Sequence, residues 1–176
     1  MARQHIQPTQ QERVMRDDEI IVSKTDLKGR IAYGNKVFAD YAGFTENEFL
    51  GKQHSLVRHP DMPRCVFKIL WQHIEAGQEV FAYVKNICKD GSFYWVLANV
   101  TPSRDPQGNI VGYYSVRRKP NPKALGVIVP LYKQLLQTEH NAGSRDAIEA
   151  ALSQMHNHLN EKGVSYERFI LDLQAL

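Results

Sequence analysis

The stretch that decides the fold is EVFAYVKNICKDGSFYWVLANVTPSRDPQGNIVGYYSVRRK, from Glu79 to Lys119. It contains three runs that are rich in Val, Ile, Phe, Tyr and Trp, and the sequences KDG and SRDPQGN separate these runs. Aromatic and β-branched residues favour strands, whereas Asp, Gly and Pro in short clusters favour turns. The stretch therefore predicts a meander of three antiparallel strands.

The residues before the meander predict two more strands, followed by helices. The sequence EIIVSKTDLKGRIAYGN is two short apolar runs around Asp26 and Gly29, which predicts a β-hairpin. Short helices are predicted next, and then a longer amphipathic helix from Met62 to Gly77, with Pro63 in its first turn. This order predicts an α+β fold, with a five-stranded antiparallel sheet and helices on one of its faces.

The two ends of the chain differ from this central region, which we place at residues 18–120. Residues 1–17 are polar and Gln-rich, which predicts a flexible arm or a cap. Residues 121–176 predict a C-terminal helical extension, in which Pro130 interrupts the first helix and Ser144 caps the second. The apolar stripes of these helices must be buried, either by the sheet domain or by a second copy of the chain.

Composition limits the classes of function that the chain can have. The 22 basic residues are scattered among 19 acidic ones, so no basic face for nucleic acid is expected, and Arg117–Lys119 are interpreted as a solvated strand end. No apolar segment reaches the roughly 18 residues that a membrane span needs. With Cys65 and Cys88 as its two cysteines, the chain suits a reducing cytoplasm.

Two motifs carry a resemblance to a known family. VRHPDMP, from Val57 to Pro63, and VKNICKDGSFYWV, from Val84 to Val96, resemble the flavin-binding PAS domain of bacterial aerotaxis receptors, and the match extends over about residues 18–132. The resemblance implies the PAS fold, and an FAD held non-covalently between the helices and the sheet. It implies a cytoplasmic redox or oxygen sensor rather than an enzyme, which signals to a partner protein. The apolar stripes of the C-terminal helices, rather than the resemblance, lead us to expect a homodimer.

The resemblance also implies which residues form or support the cofactor site. Six positions match: Asn35, Arg58, His59, Asp61, Trp71 and Asn86. An arginine suits the phosphates of FAD, and a strand amide suits the polar edge of its ring system. Strand alternation places Ala82, Val84 and Asn86 on one face. These side chains are small, so that face leaves room for a ligand.

The residues themselves leave further interpretations open. Asp61 could simply cap the helix that follows it, with Arg58 and His59 in a solvated loop, and Asn35 could cap the short helix after it. His73 is a possible proximal ligand for haem, as in haem-binding PAS domains. A flavin-dependent redox enzyme and a cofactor-free scaffold for partner binding are also compatible with the sequence. Cys65 lacks the sequence context of light-sensing flavin domains.

The chain departs from the aerotaxis receptor pattern in two places. A tryptophan-small-glycine stretch is usual at the start of the first meander strand, where this chain has Val80, Phe81 and Ala82. The membrane anchor and the signalling coil of the receptors have no counterpart in the sequence. His156 and His158 are two residues apart on a predicted helix and point in different directions, so no zinc site is expected.

Overall fold

A computed structural model describes residues 6–176, and within this range the chain forms one five-stranded antiparallel sheet and six α-helices. The strands are β1 (Ile21–Thr25), β2 (Ile31–Gly34), β3 (Val80–Ile87), β4 (Phe93–Arg104) and β5 (Ile110–Arg118). The helices are α1 (Lys36–Ala42), α2 (Glu46–Phe49), α3 (Arg64–Glu75), α4 (Pro122–Asn141), α5 (Gly143–Lys162) and α6 (Tyr166–Gln174), with a 3₁₀ turn at His54–Val57. The strand order is β2-β1-β5-β4-β3, which confirms the predicted fold class.

The β1–β2 hairpin turns where its sequence predicts. The Asp26 carboxylate accepts hydrogen bonds from the backbone N–H groups of Lys28 and Arg30, both at 2.8 Å, and these bonds fix the turn. Gly29 has a φ of 74°, a conformation that side chains other than glycine rarely adopt. The turn brings Gly29 against the ring of Trp71 on α3.

Strand alternation divides the side chains of the meander between two faces. Val84 pairs with Val96 and Ala82 with Ala98, so these side chains share the inner face, which α3 covers. Tyr83 and Trp95 lie on the outer face instead. The Tyr83 hydroxyl donates to Gln174 Oε1 of α6 at 3.0 Å, and the Trp95 ring contacts a tyrosine ring of α4. Helices α6 and α4 therefore contact the outer face of β3 and β4, whereas α5 packs against α4 and α3.

Two details of the C-terminal extension differ from the sequence expectation. Helix α4 continues through Pro130, which is exposed, and the carbonyl opposite the proline ring belongs to Gly126, where the backbone has freedom to adjust. Ser144 lies inside α5 and is not its cap, because the helix begins directly after Ala142. The first helix is therefore longer than predicted, and the connection to α5 is shorter.

The apolar stripes of α5 and α6 are covered within the chain. Their buried members are Ala151, Leu152, Met155 and Leu159 on α5, and Phe169, Ile170 and Leu173 on α6. The sheet domain covers part of them, since α5 packs against α3 and α6 packs against β3, and α4 of the extension covers the rest. The stripes therefore give no argument for a second copy.

The N-terminal segment lies along the first residues of β4. Thr9 N–H donates to Gly91 O at 2.8 Å, Phe93 N–H donates to Gln11 O at 2.9 Å, and Arg13 N–H donates to Phe93 O at 2.7 Å. The pairing between β4 and β5 begins at Leu97, so the segment occupies an edge that β5 does not reach.

Residues 1–5 lie outside the described residues, and the boundaries at 17 and 120 stay predictions.

Candidate functional site

A cavity of about 280 Å³ lies between α3 and the inner face of the sheet. Phe67, Leu70, Trp71 and Ile74 form its helix wall, and small or polar side chains of the strands form its sheet wall. Its volume is near the lower end of the roughly 300–1,000 Å³ that is typical of small-molecule sites. The cavity results from the small inward side chains of β3 and β4, as strand alternation predicts.

A cluster of three polar side chains lies inside this cavity. Arg117 Nη2 donates to Ser23 Oγ at 2.6 Å and lies 2.7 Å from His54 Nε2. A guanidinium has no acceptor atom, so Nε2 must accept and His54 must be neutral. Burial, and then the charge of Arg117, lower the pKa of His54 to about 3. The cluster therefore carries one positive charge, on Arg117.

Arg117 corrects one sequence interpretation, because it is not part of a solvated strand end. The side chain is only 4% exposed, and burial lowers its pKa to about 10, so it stays charged at neutral pH. Within residues 6–176 its Nη1 atom has no hydrogen-bond partner, and no carboxylate lies within salt-bridge distance of it. The Ser115 hydroxyl, also buried and also lining the cavity, has no partner in that range either. Buried polar atoms usually have partners, so the pair indicates a ligand site.

Three of the six sequence-predicted site residues line the cavity. The Arg58 guanidinium lies 3.7 Å from the centre of the Phe67 ring, a cation–π contact, and the Arg58 backbone forms a bridge with Asn86 at the free edge of β3. Trp71 packs edge-to-face against Tyr113, with their ring centres 5.5 Å apart. The structure therefore brings Arg58, Trp71 and Asn86 together around one space.

The other three predicted residues do not line the cavity. Asn35 caps α1, since its Oδ1 accepts from Phe38 N–H at 2.9 Å, and it also joins that helix to β1. His59 is buried beside Phe93, and burial is the main cause that lowers its pKa to about 4. Asp61 is exposed and pairs with a lysine of β3 at 2.7 Å. These residues hold the elements around the cavity in place.

The interpretation in which Asp61 caps α3 is wrong. The helix begins after Pro63, and no side chain at that position bonds to its first turn. The carboxylate of Glu139, which belongs to α4, accepts the Cys65 N–H at 2.8 Å instead. The cap of α3 therefore comes from the C-terminal extension, 74 residues further along the chain.

The histidine that was considered as a haem ligand and the two cysteines lie away from the cavity. His73 Nδ1 lies 2.8 Å from Ile69 O, and its ring faces Tyr166 of α6, so His73 is not part of the lining. Cys65 and Cys88 are buried outside the lining, and burial is the main cause that raises the pKa of Cys65 to about 12. Over residues 6–176 no group of three His, Cys, Asp or Glu side chains is placed to hold a metal ion.

Sequence reasoning missed the polar cluster around Arg117. Part of the signal was present, because alternation along β5 places Tyr113, Ser115 and Arg117 on one face. Because Arg117 lies in a basic run, sequence reasoning interpreted it as solvent-exposed. His54 lies in a 3₁₀ turn, where no periodicity gives the direction of a side chain, so its place in the cavity had no sequence signal.

Comparison with known proteins identifies the domain. Residues 31–117 match the family described as the PAS fold. The chain contains a PAS domain. The light-state LOV structure of the blue-light photoreceptor Aureochrome1 superimposes on it with a TM-score of 0.55 and 25% identity, over 69% of this chain and 91% of that one.

Two curated relatives are similar to this PAS domain and its flanks. The aerotaxis receptor of Escherichia coli K12 is 38% identical over 131 residues, which are 74% of this chain and 26% of the receptor. The nitrogen fixation regulatory protein of Klebsiella pneumoniae is 27% identical over 99 residues, which are 56% of this chain and 20% of that protein. The matches thus cover about a quarter or less of each relative. Among the described residues, no helix has the length and apolar character to cross a membrane.

Proposed function

We propose that this PAS domain is a redox or oxygen sensor that binds FAD non-covalently in the cavity and signals through its terminal segments. The observation that carries the proposal is the buried Arg117 Nη1, which has no acceptor among residues 6–176 and belongs to a residue that lines a cavity with an apolar helix wall. The motifs that resemble flavin-binding PAS domains of aerotaxis receptors support it, as does the similarity to the E. coli receptor.

The residues of the cavity suit a flavin ring system. Arg117 and Ser115 offer donors without partners among residues 6–176, and the amide of Asn86 can donate or accept. Trp71 and Val84 provide apolar surface on opposite walls. A bound flavin supplies a reversible redox change that alters the charge and the hydrogen-bonding pattern of its ring edge. We therefore assign the ring system to the cavity.

The half-buried Arg58 suits the phosphates of the dinucleotide. Its contact with Phe67 holds the guanidinium in a fixed orientation at the wall of the cavity. Arginine forms charge-assisted bonds with phosphate, and a planar, oriented guanidinium forms them in pairs. The cavity is small for a whole dinucleotide, so we assign the phosphates to the side where Arg58 lies.

Asn86 is the residue that we expect to respond to the flavin. It lies on β3, an edge strand, and it must exchange donor for acceptor when the ring edge changes its pattern. Rotation of its amide would alter the loop that is bridged to its backbone at Arg58. We place the sensor in the cytoplasm, with a signalling protein as its partner. The homodimer stays a prediction from the sequence, because the stripes that suggested it are buried within the chain.

The direct test is the visible absorption spectrum of purified protein, before and after dithionite. We expect the bands of oxidised flavin, lost on reduction, and extraction of FAD by denaturation. A Soret band would indicate haem instead, and colourless protein that does not take up added FAD would support a scaffold without cofactor. Steady NADH oxidation by flavin-loaded protein would support an enzyme.

Arg117→Met tests the residue that carries the proposal. Loss of a hydrogen bond to a charged donor should weaken FAD binding by roughly 10- to 100-fold. Arg118→Met is the matched control, because Arg118 is the next residue of β5 and is exposed. Circular dichroism checks that both variants fold. Equal FAD affinity in the two variants would remove Arg117 from the site.

A further inference from the structure

We propose that α4 transmits the state of the cavity to the rest of the protein, through one contact from Tyr132 and one from Glu139. The inference rests on the proposed sensor function and names the element that carries its signal. We call these two contacts the α4 bridge. Tyr132 and Glu139 are positioning residues, since neither lines the cavity.

The first contact joins α4 to the helix wall of the cavity. Glu139 Oε1 accepts the N–H of Cys65 in the first turn of α3, and the Glu139 residue is only 7% exposed. A helix N-terminus has unsatisfied N–H groups and a partial positive charge, and both favour a carboxylate there. Leu70 and Trp71, between one and two turns further along the same helix, line the cavity. A shift of α3 therefore acts on Glu139.

The second contact joins α4 to the sheet wall. The hydroxyl of Tyr132, which is 2% exposed, donates to Tyr83 O at 2.8 Å. Tyr83 lies on β3, the edge strand, so its carbonyl has no further strand to bond to. Val84 and Asn86, the next inward residues of this strand, line the cavity. A shift of β3 therefore acts on Tyr132.

The two contacts lie on one face of one helix. Residues 132 and 139 are seven positions apart, which is two turns and about 10 Å along the axis. Both bonds go to main-chain atoms, so they follow the backbone positions of α3 and β3 and do not depend on side-chain rotamers there. A change in the separation of the two walls must weaken one contact or move α4.

A nearby contact of α4 provides a matched control. Thr138 Oγ1 donates to Gln154 Oε1 of α5 at 2.5 Å. This bond joins two helices of the C-terminal extension and does not involve α3 or β3. Thr138→Val removes a hydrogen bond beside Glu139 and leaves both cavity walls untouched. Tyr132→Phe and Glu139→Met are close in size to the native side chains and keep the packing of α4. Methionine removes the oxygen acceptor, whereas glutamine would still accept the Cys65 N–H.

The main experiment is hydrogen–deuterium exchange of the flavin-loaded full chain, oxidised and dithionite-reduced. We expect reduction to change exchange in α4 peptides of the unmodified protein. In Tyr132→Phe/Glu139→Met this redox difference should fall by roughly fivefold or more, as for the loss of a typical coupling energy, and in Thr138→Val it should remain. The proposal is overturned if the double variant keeps the full difference, or if α4 never responds.

Linkage supplies a second readout from the same proteins, the midpoint potential of the flavin. If reduction loosens α4, the bridge stabilises the oxidised state, so weakening the bridge favours the reduced state and raises the midpoint potential. If reduction tightens α4, the bridge stabilises the reduced state, so weakening it lowers the midpoint potential. Thr138→Val should leave the potential unchanged. A shift of the opposite sign, or no shift in the double variant, contradicts the proposal.

A further arm separates this inference from the proposed function. Protein that takes up no FAD refutes the proposed function, and the bridge is then tested in cofactor-free protein. Leu70→Ala on the helix wall and Val84→Ala on the sheet wall should speed exchange in α4 by roughly fivefold. Thr25→Ala, in the part of the lining on β1, should not. Equal exchange in α4 for all three variants overturns the bridge.

Discussion

The two faces of the sheet differ in what their side chains do. On the inner face, Val84 and Ala98 are small, and a cavity remains between them and α3. On the outer face of the same strands, Tyr83, Trp95 and Leu97 are large, and α6 packs on β3 there. One strand therefore lines the cavity through one face and contributes to stability through the other.

The polar groups of the two faces differ in the same way. On the outer side the Tyr83 hydroxyl and carbonyl both have partners, in Gln174 and Tyr132. On the inner side, Arg117 Nη1 and Ser115 Oγ have none among residues 6–176. Polar groups without partners destabilise a folded protein, so the inner face retains groups that suit a ligand better than they suit the empty cavity.

Trp95→Ala gives the largest effect that this comparison predicts. The indole is 8% exposed and packs on the Tyr132 ring, so its removal should lower the free energy of unfolding by about 3–5 kcal/mol. Urea denaturation of cofactor-free protein measures this change. A loss below about 1 kcal/mol would show that the outer face is not the stabilising one.

Ala98→Leu is the matched change on the inner face of the same sheet. The added side chain enters existing space, so we expect less than the roughly 1–3 kcal/mol that overpacking usually costs. The variant should nevertheless lose FAD binding. Retained FAD binding with a large loss of stability would reverse the roles that we assign to the two faces.

The fold could be predicted from the sequence because its signals are local. Asp26 and Gly29 turn the hairpin, and the alternating residues of the meander assign its faces without knowledge of any partner. Asn35 caps the helix after it, as one of the two interpretations of that residue holds. Each of these features depends on residues within a few positions of one another.

The parts that the sequence could not show depend on distant residues. Glu139 caps α3 from 74 positions away, and a carboxylate in a helical segment gives no sign of that role. The charge of Arg117 suggested solvent, whereas tertiary packing buries it beside His54 from another part of the chain. The cavity was predictable from small side chains, but the polar groups inside it were not.

His54→Gln tests whether the inner face excludes a second positive charge. The pKa of His54 is lowered to about 3 in the folded protein, against about 6.5 unfolded, so between these values the unfolded chain binds an extra proton. Stability should therefore fall as pH falls through this window, by up to about 1.4 kcal/mol per pH unit for each such histidine. Urea denaturation at about pH 5 and 6 measures the slope, and His54→Gln should reduce it.

His59 gives the matched comparison, because it is also buried, and its pKa is also lowered. His59→Gln should reduce the same slope, and the double variant should remove most of it between about pH 5 and 6. Only His54→Gln should alter FAD affinity through the cavity, since His59 does not line it. An unchanged slope in His54→Gln would mean that His54 is protonated in the folded protein.

The smallest predicted effect comes from two serines that lie opposite each other across β1 and β5. Ser23 and Ser115 are register partners and both line the cavity, but Ser23 Oγ accepts from Arg117, whereas Ser115 Oγ has no partner within residues 6–176. Ser23→Ala should therefore lower the free energy of unfolding of cofactor-free protein by about 0.5–1.5 kcal/mol, and Ser115→Ala should not lower it.

FAD affinity should reverse that order, which is why the pair is informative. Ser115→Ala removes a donor that is available to the ligand, so FAD should bind roughly two- to tenfold more weakly, as for the loss of one neutral hydrogen bond. If Ser115→Ala instead destabilises cofactor-free protein as much as Ser23→Ala does, its hydroxyl has a partner in the empty cavity. The inner face would then be satisfied without a ligand, and the contrast with the outer face would not hold.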